Sequence, residues 1–412
     1  MSVLLGVFLI CVLYGVIRLL NLCSPSLSPE LYYNQKSLFV RNVLDSCSLL
    51  REPYIPSLLW GKNGHIQTLV CGVRRRNQNV HDLKERKELT MEDGATVTFD
   101  VFEPTRPHPK GGDYTIQVCP GIGSNSESCY ITSFVSHAQS EGYRVVIQNH
   151  LGTLKDVKLT SPRVFNYGST EEFHNIALEL QRLYPGTKMF AVGFSMGANI
   201  VLKYLGESRE NQSRFLCGLS ICQGYDANLA VPHYFDSLSI SSAYLLLLTT
   251  RQKSILREHK DILFSDEAKN KYGALDEDRI FKSPTLLELD EYYSRRVAGF
   301  SSVQEYYRWC SCIHYLDNIK IPLLLLNSAD DPLVPEDLLK IPKQYALNND
   351  KCLMAVTTHG GHLGYLEGGG VFPNPISCVY VIYMTNLTTT SFSLLVSFLP
   401  TYKGVDTLSQ LK

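Results

Sequence analysis

The stretch KMFAVGFSMGANIVLKYL, residues 188–205, decides the fold. Its first five residues read as a short apolar strand, and residues 196–205 carry the apolar spacing of a helix. Between them lies Gly193-Phe194-Ser195-Met196-Gly197, a G-x-S-x-G sequence set between strand and helix, the context such a turn requires. The glycines let the chain reverse sharply and leave Ser195 strained and exposed at the helix N-terminus. Backbone N–H groups there favour a developing negative charge. Ser195 is the candidate nucleophile.

A serine hydroxyl needs a base, and the base needs an orienting carboxylate. Working outward in chain order, both follow. The apolar run IPLLLLN, residues 321–327, leads into SADDPLVP, residues 328–335. The run CLMAVT, residues 352–357, leads into THGGH, residues 358–362. An acid after one strand and a histidine after the next would stand along one edge of a sheet. Asp331, which precedes the Pro-Leu-Val-Pro segment, is favoured over Asp330. His362, which follows two glycines, is favoured over His359. An oxyanion formed at Ser195 needs two backbone donors. The N–H of Met196 supplies one, and the N–H of Ile122, in the PGIG turn at residues 120–123, supplies the other, with Gly121 as hinge.

The remaining chain alternates in the same way. Strands are expected at 95–102, 114–119, 143–148 and 215–221, and helices at 128–140, 171–183 and 336–347. Alternation of this kind predicts an α/β fold, a mostly parallel sheet with helices on both faces. Residues 226–303 break the rhythm with helical patterns and the run AYLLLL at 243–248, which reads as a helical lid. Residues 24–90, punctuated by Pro25, Pro29, Pro53 and Pro56, show little periodicity and read as a linker and covering arm. The hydrolytic domain is then 91–376, and residues 377–412 form an atypical tail.

Composition narrows the function classes. The 412 residues hold 39 Lys+Arg and 40 Asp+Glu, a net charge of −1, which excludes a dominant nucleic-acid-binding role. Charged residues make up only 19%, below the roughly 25% usual for a soluble globule. Part of the deficit is local: residues 3–17 carry no charge, and a helix over 3–22 would be about 30 Å long, one bilayer core. No basic segment precedes this run and no small-residue cleavage site follows it, so residues 1–23 read as a membrane anchor rather than a signal peptide. The cationic residues Arg18, Lys36, Arg41 and Arg51 lie on its C-terminal side, a bias that taken alone leaves the body cytosolic. Asn211 and Asn386 begin glycosylation sequons, useful only to a luminal body. The 12 cysteines lack the spacing of a zinc site or a disulfide framework, and no metal is expected.

Several longer motifs carry a resemblance: LYGVIRLLNL, WGKNGHIQT, CPGI, NHLG, LTSPR, GFSMGANIVLKYLGE, CQGY, ADDPLVP and HGGHLGYLEGG. From the anchor to about residue 375 the chain resembles the α/β-hydrolase superfamily, within its membrane-anchored abhydrolase domain-containing group. The resemblance implies Ser195 as nucleophile, Asp331 as acid and His362 as base. It implies hydrolysis of lipid acyl esters without a cofactor, with monoacylglycerol as the expected substrate. It also implies a single N-terminal signal-anchor, a body on the luminal or extracellular side, and a steroid regulator. The other readings are phospholipid deacylation, short-ester hydrolysis or acyl transfer on the same triad, and a catalytically impaired lipid- or steroid-binding protein. The segment from residue 377 departs from the family pattern of a closing amphipathic helix.

Overall fold

The computed structural model describes residues 2–73, 84–234 and 241–367. Among these described residues, nine strands form one sheet. In chain order they are β1 (Glu30–Tyr32), β2 (Lys84–Thr90), β3 (Thr96–Phe102), β4 (Tyr114–Cys119), β5 (Arg144–Asn149), β6 (Lys188–Phe194), β7 (Phe215–Ile221), β8 (Leu323–Ser328) and β9 (Cys352–Thr357). Their spatial order is β1-β9-β8-β7-β6-β4-β5-β3-β2. From β5 to β9 every pairing is parallel, and β1, β2 and β3 pair antiparallel at the two edges. The expected α/β fold is therefore present, with its six-strand parallel centre.

The central strands are buried on both faces, which explains why β8 and β9 open as apolar runs rather than alternating. One face packs against helix Cys129–Ser140 through Ile131, Phe134 and Val135. The other packs against helix Glu171–Leu183 and helix Met196–Glu207. Helix Glu171–Leu183 buries Phe173, Ile176, Ala177 and Leu180 as one stripe, with two glutamates in its first turn and Arg182 in its last, as the helix dipole favours.

The covering arm holds more structure than its sequence announces. β1 adds antiparallel to β9, with Glu30 opposite Val356 and Tyr32 opposite Met354. Helix Leu38–Ser46 starts where the Ser37 hydroxyl accepts from the Val40 N–H at 3.0 Å, and it buries Val40 and Leu44. Helix Gly64–Val73 begins inside the WGKNGHIQT motif, and β2, KERKELT, is a charged edge strand. A three-residue strand and a charged edge strand give almost no hydrophobic period to read.

The N-terminal helix, Ser2–Leu19, is shorter than the expected 3–22. Its end is set by the backbone: Asn21 takes φ 54°, its N–H donates to the Arg18 carbonyl (3.2 Å), and the Leu22 N–H donates to the Ile17 carbonyl (3.1 Å). This is a Schellman stop, with Asn in the left-handed position. Eighteen residues extend about 27 Å, against about 30 Å for a hydrocarbon core. Among the described residues, no helix is long and apolar enough to cross a membrane. Between β7 and β8 the chain is largely helical, with helices Ala227–Tyr234, Ser241–Glu258 and Val303–Cys310 and a π-helical turn at Asp290–Ser294. The segment 377–412, and with it Asn386, falls outside the described residues.

Candidate active site

Ser195 sits in the turn from β6 into helix Met196–Glu207 with φ 53° and ψ −118°, a left-handed backbone that a serine rarely adopts. Its N–H is tied to the Ile221 carbonyl at 2.8 Å. The flanking glycines are required by close approach. A Cβ on Gly193 would strike the backbone of Ala198, and one on Gly197 would strike the Cys119 carbonyl. The strain is thus held by packing between β4, β6 and the helix.

The structure brings the three distant side chains into one line. Ser195 Oγ lies 2.8 Å from His362 Nε2, and His362 Nδ1 lies 2.8 Å from Asp331 Oδ2. Asp331 also accepts from the Leu333 N–H (2.8 Å) and the Val334 N–H (3.2 Å) through Oδ1. A carboxylate so held is an orienting group whose rotamer is fixed. Its neighbour Asp330 accepts instead from the Gly361 N–H at 2.8 Å and faces His359 Nδ1 at 3.5 Å. His359 is buried, and its Nε2 lies 3.1 Å from Ser24 Oγ at the exit of the N-terminal helix. The two Asp–His alternatives of the sequence are therefore two separate pairs, and only Asp331–His362 reaches Ser195.

Ile122 and Met196 both line the cavity at Ser195. The loop carrying Ile122 is held from two sides by residues that the sequence reading left without a role. The Gly121 N–H donates to the Tyr130 hydroxyl (2.8 Å), and His150 Nε2 donates to the Pro120 carbonyl (2.9 Å). Burial lowers the pKa of His150, so the neutral imidazole is the donor. His150 belongs to the NHLG motif, which was the available signal. Thr68 was also missed: its hydroxyl donates to the Gly64 carbonyl (2.7 Å) and accepts the His362 N–H (2.8 Å), fastening the histidine loop to the WGKNGHIQT helix.

Among the described residues, Cys222, Asp331 and His362 form a group whose ligand atoms lie within 4.8 Å of one another. Burial raises the Cys222 thiol well above its ordinary pKa and keeps it protonated, while Asp331 and His362 engage each other. That donor set suits acid–base chemistry better than a cation. Asn211 lies in helix Arg209–Ser213, where its Nδ2, the atom a glycan would occupy, donates to the Tyr204 carbonyl at 3.1 Å. The sequon is therefore folded into a helix rather than presented on an open loop.

The cavity beside Ser195 and His362 is mostly apolar, walled by Ala227, Val231, Leu245, Leu248, Leu333 and Val334 among others. Leu245 and Leu248 are three apart on helix Ser241–Glu258 and share the inward face, while Leu246 and Leu247 point outward, 53% and 57% exposed. That helix is docked on the arm: the Tyr244 hydroxyl donates to the His65 carbonyl (2.9 Å) and the two rings stack.

A strained serine at the turn after β6, with the acid and the histidine on the loops after β8 and β9, defines the α/β-hydrolase class. A family model for the alpha/beta hydrolase fold matches residues 114–248. The chain is 44% identical over 368 residues to monoacylglycerol lipase ABHD2 of Mus musculus, covering 89% of this chain and 86% of that protein. It is 40% identical over 370 residues to abhydrolase domain-containing protein 2 of Drosophila melanogaster, covering 90% and 91%. An esterase of Pyrococcus furiosus is 16% identical, with a TM-score of 0.46 over 78% of this chain and 96% of that one. The chain belongs to the ABHD2 family of α/β hydrolases.

Proposed function

We propose that this protein is a serine hydrolase that cleaves monoacylglycerol to fatty acid and glycerol. The observation that carries the reading is the continuous Ser195–His362–Asp331 line, with both links at 2.8 Å, at the wall of an apolar cavity. The monoacylglycerol lipase relatives, 44% identical, support the substrate class.

Ser195 Oγ attacks the acyl carbonyl carbon as its proton passes to His362 Nε2. Asp331 fixes the imidazole tautomer and stabilises the imidazolium. The N–H groups of Ile122 and Met196 receive the oxyanion, and each such donor is worth about 3 kcal/mol in the transition state. Collapse of the tetrahedral intermediate breaks the ester bond, and the glycerol oxygen takes the proton from His362. Water, giving a proton to His362, then attacks the acyl-serine, and the fatty acid leaves with Ser195 restored.

The N-terminal helix sits in lipid in this reading. Its apolar side chains are open on every side, with Leu4, Phe8, Ile10, Tyr14 and Leu19 all more than 60% exposed. An apolar surface of this extent is stable only when covered. Leu246 and Leu247, exposed on the helix that walls the cavity, add apolar surface that lipid would cover as substrate enters from the bilayer.

Wild type and Ser195→Ala, purified in detergent, are compared for fluorophosphonate labelling and for fatty-acid release from monoacylglycerol. Labelling and release by wild type alone are expected. A folded wild type that does neither rejects the reading. Co-flotation with phosphatidylcholine vesicles, abolished by deleting residues 2–19, is expected for the lipid contact, and flotation that persists after the deletion rejects it.

A further inference from the structure

An ester has two sides, and this site has two cavities. The larger one, at Ser195, shares Ile122, Tyr167, Leu286 and Asp290 with a smaller neighbour. The walls differ in chemistry. The larger cavity is dominated by aliphatic side chains, whereas the smaller adds Asn166, Gln252 and Ser294. The Asn166 Oδ1 is occupied by the Gly168 N–H (2.9 Å) and the Ser169 N–H (2.7 Å), so this residue offers its amide NH2 group to a ligand.

Asp290 stands in the shared wall, 7% exposed, at the start of the π-helical turn Asp290–Ser294. The Tyr307 hydroxyl donates to its Oδ2 at 2.8 Å, and the Ser294 side chain also hydrogen-bonds to it. A carboxylate has about four acceptor positions, so two such bonds leave acceptor capacity beside the cavities. Burial pushes this carboxyl up to about 6, so it remains largely ionised at neutral pH. An acceptor-rich group beside an aliphatic cavity is costly unless hydroxyl donors reach it. π-helical turns of this kind are frequent at functional sites.

We propose that Asp290, with Tyr307 behind it, is the specificity-determining group for the alcohol side of the ester: it binds the free hydroxyls of a polyol leaving group directed into the smaller cavity. This deepens the lipase reading and rests on it. With the carbonyl at Ser195 and its oxygen at the Ile122 N–H, the acyl chain follows the aliphatic wall. The alkoxy side leaves past Ile122, one of the residues common to both cavities. A vicinal diol donates two hydrogen bonds to a carboxylate, and the Asn166 and Gln252 amides serve the remaining oxygen atoms. A simple alkyl ester has no donors to give and leaves the carboxylate unmet.

The test compares two substrates that differ only in this part: a monoacylglycerol and the methyl ester of the same fatty acid. The readout is the ratio of their kcat/KM values for wild type, Asp290→Asn, Asp290→Leu and Tyr307→Phe. Wild type should prefer the monoacylglycerol. In Asp290→Leu the preference should collapse by about tenfold or more, through KM for the monoacylglycerol, as expected for a lost bond to a charged acceptor. Asp290→Asn, which keeps one acceptor oxygen, and Tyr307→Phe, which leaves the carboxylate in place, should each give a partial collapse. Fluorophosphonate labelling of every variant shows that the triad is still assembled. Equal losses on both substrates, or an unchanged ratio in Asp290→Leu, overturn the proposal. A wild type that cleaves the methyl ester but no monoacylglycerol overturns the lipase reading itself, a separate failure.

Discussion

Asp330 and Asp331 are chain neighbours, yet their carboxylates turn to different histidines. Asp331 is buried against His362 and two backbone N–H groups, whereas Asp330 supports the Gly361 N–H and faces His359. Asp331→Asn is expected to lower kcat by about 10⁴-fold, because the amide favours the wrong imidazole tautomer. Asp330→Asn keeps an acceptor for Gly361 and is expected to cost less than about tenfold. Initial rates of fatty-acid release from monoacylglycerol decide, and the reverse order of losses would reassign the acid. Asp290 makes a second prediction, on stability. Its carboxyl rises from 3.8 to about 6 because burial disfavours the charge, so the folded protein binds that proton more tightly than the unfolded chain does. Its ionisation therefore removes stability as pH climbs from about 4 to about 6, to a total of roughly 3 kcal/mol at higher pH. Asp290→Asn, which cannot ionise, should melt progressively higher than wild type as pH is raised from 4 to 7, with the gap constant above that. A melting difference that does not change with pH would show that the charge carries no penalty. Retention of a group with such a cost is expected where it serves ligand binding.

At the scale of elements, helix Gly64–Val73 is the bracket of the site. It starts where Asn63 Oδ1 accepts the Ile66 N–H (3.0 Å), and its Thr68 hydroxyl receives the His362 N–H. Gly64 has no room for a side chain, since a Cβ would strike Asp330, so the helix start and the acid loop are in direct contact. Thr68→Val preserves shape and removes the acceptor, leaving the His362 N–H unpaired. A fall in kcat of about five- to tenfold with little change in KM is expected, and Thr68→Ser should restore the rate. A purely structural role would instead lower melting temperature and leave kcat per labelled enzyme unchanged. This element also marks the limit of what the sequence reveals. The turn at Ser195 is legible because strand, glycines and helix are contiguous, and the acid and histidine are legible because each directly follows an apolar strand. Thr68, Ser24 and His150 act through bonds to residues 294, 335 and 30 positions away, and no local period reports such pairs. The end of the first helix is hidden for another reason: its stop is a backbone conformation at Asn21 inside an apolar run that continues to Leu22.

At the scale of the molecule, the N-terminal helix is fastened to the catalytic loops rather than tethered to them. Asn63 Nδ2 donates to the Leu19 carbonyl (2.5 Å), Asn21 Nδ2 donates to the Lys62 carbonyl (3.1 Å), and Lys62 Nζ donates to the Leu22 carbonyl (3.2 Å) and to that of Ser24. The Ser24 hydroxyl completes the path to His359, three residues before His362. The exit of the helix is thus a wall of the loop that carries the base, so the proposed lipid contact and catalysis should depend differently on this segment. Two deletions separate them. Removing residues 1–19 takes away the apolar helix but leaves Ser24 on His359. Hydrolysis of monoacylglycerol in vesicles should fall sharply, while hydrolysis of a water-soluble short ester stays near wild type. Removing residues 1–28 also strips Ser24 from His359 and the carbonyl partners from Lys62, and the short-ester rate should then fall as well, by about tenfold for two or more lost part-buried hydrogen bonds. Ser24→Ala in the full chain should give a smaller fall of the same kind, with labelling by a fluorophosphonate slowed in step. If both deletions hydrolyse the short ester at equal rates, the exit segment is only a connection, and the catalytic loop holds its geometry without it.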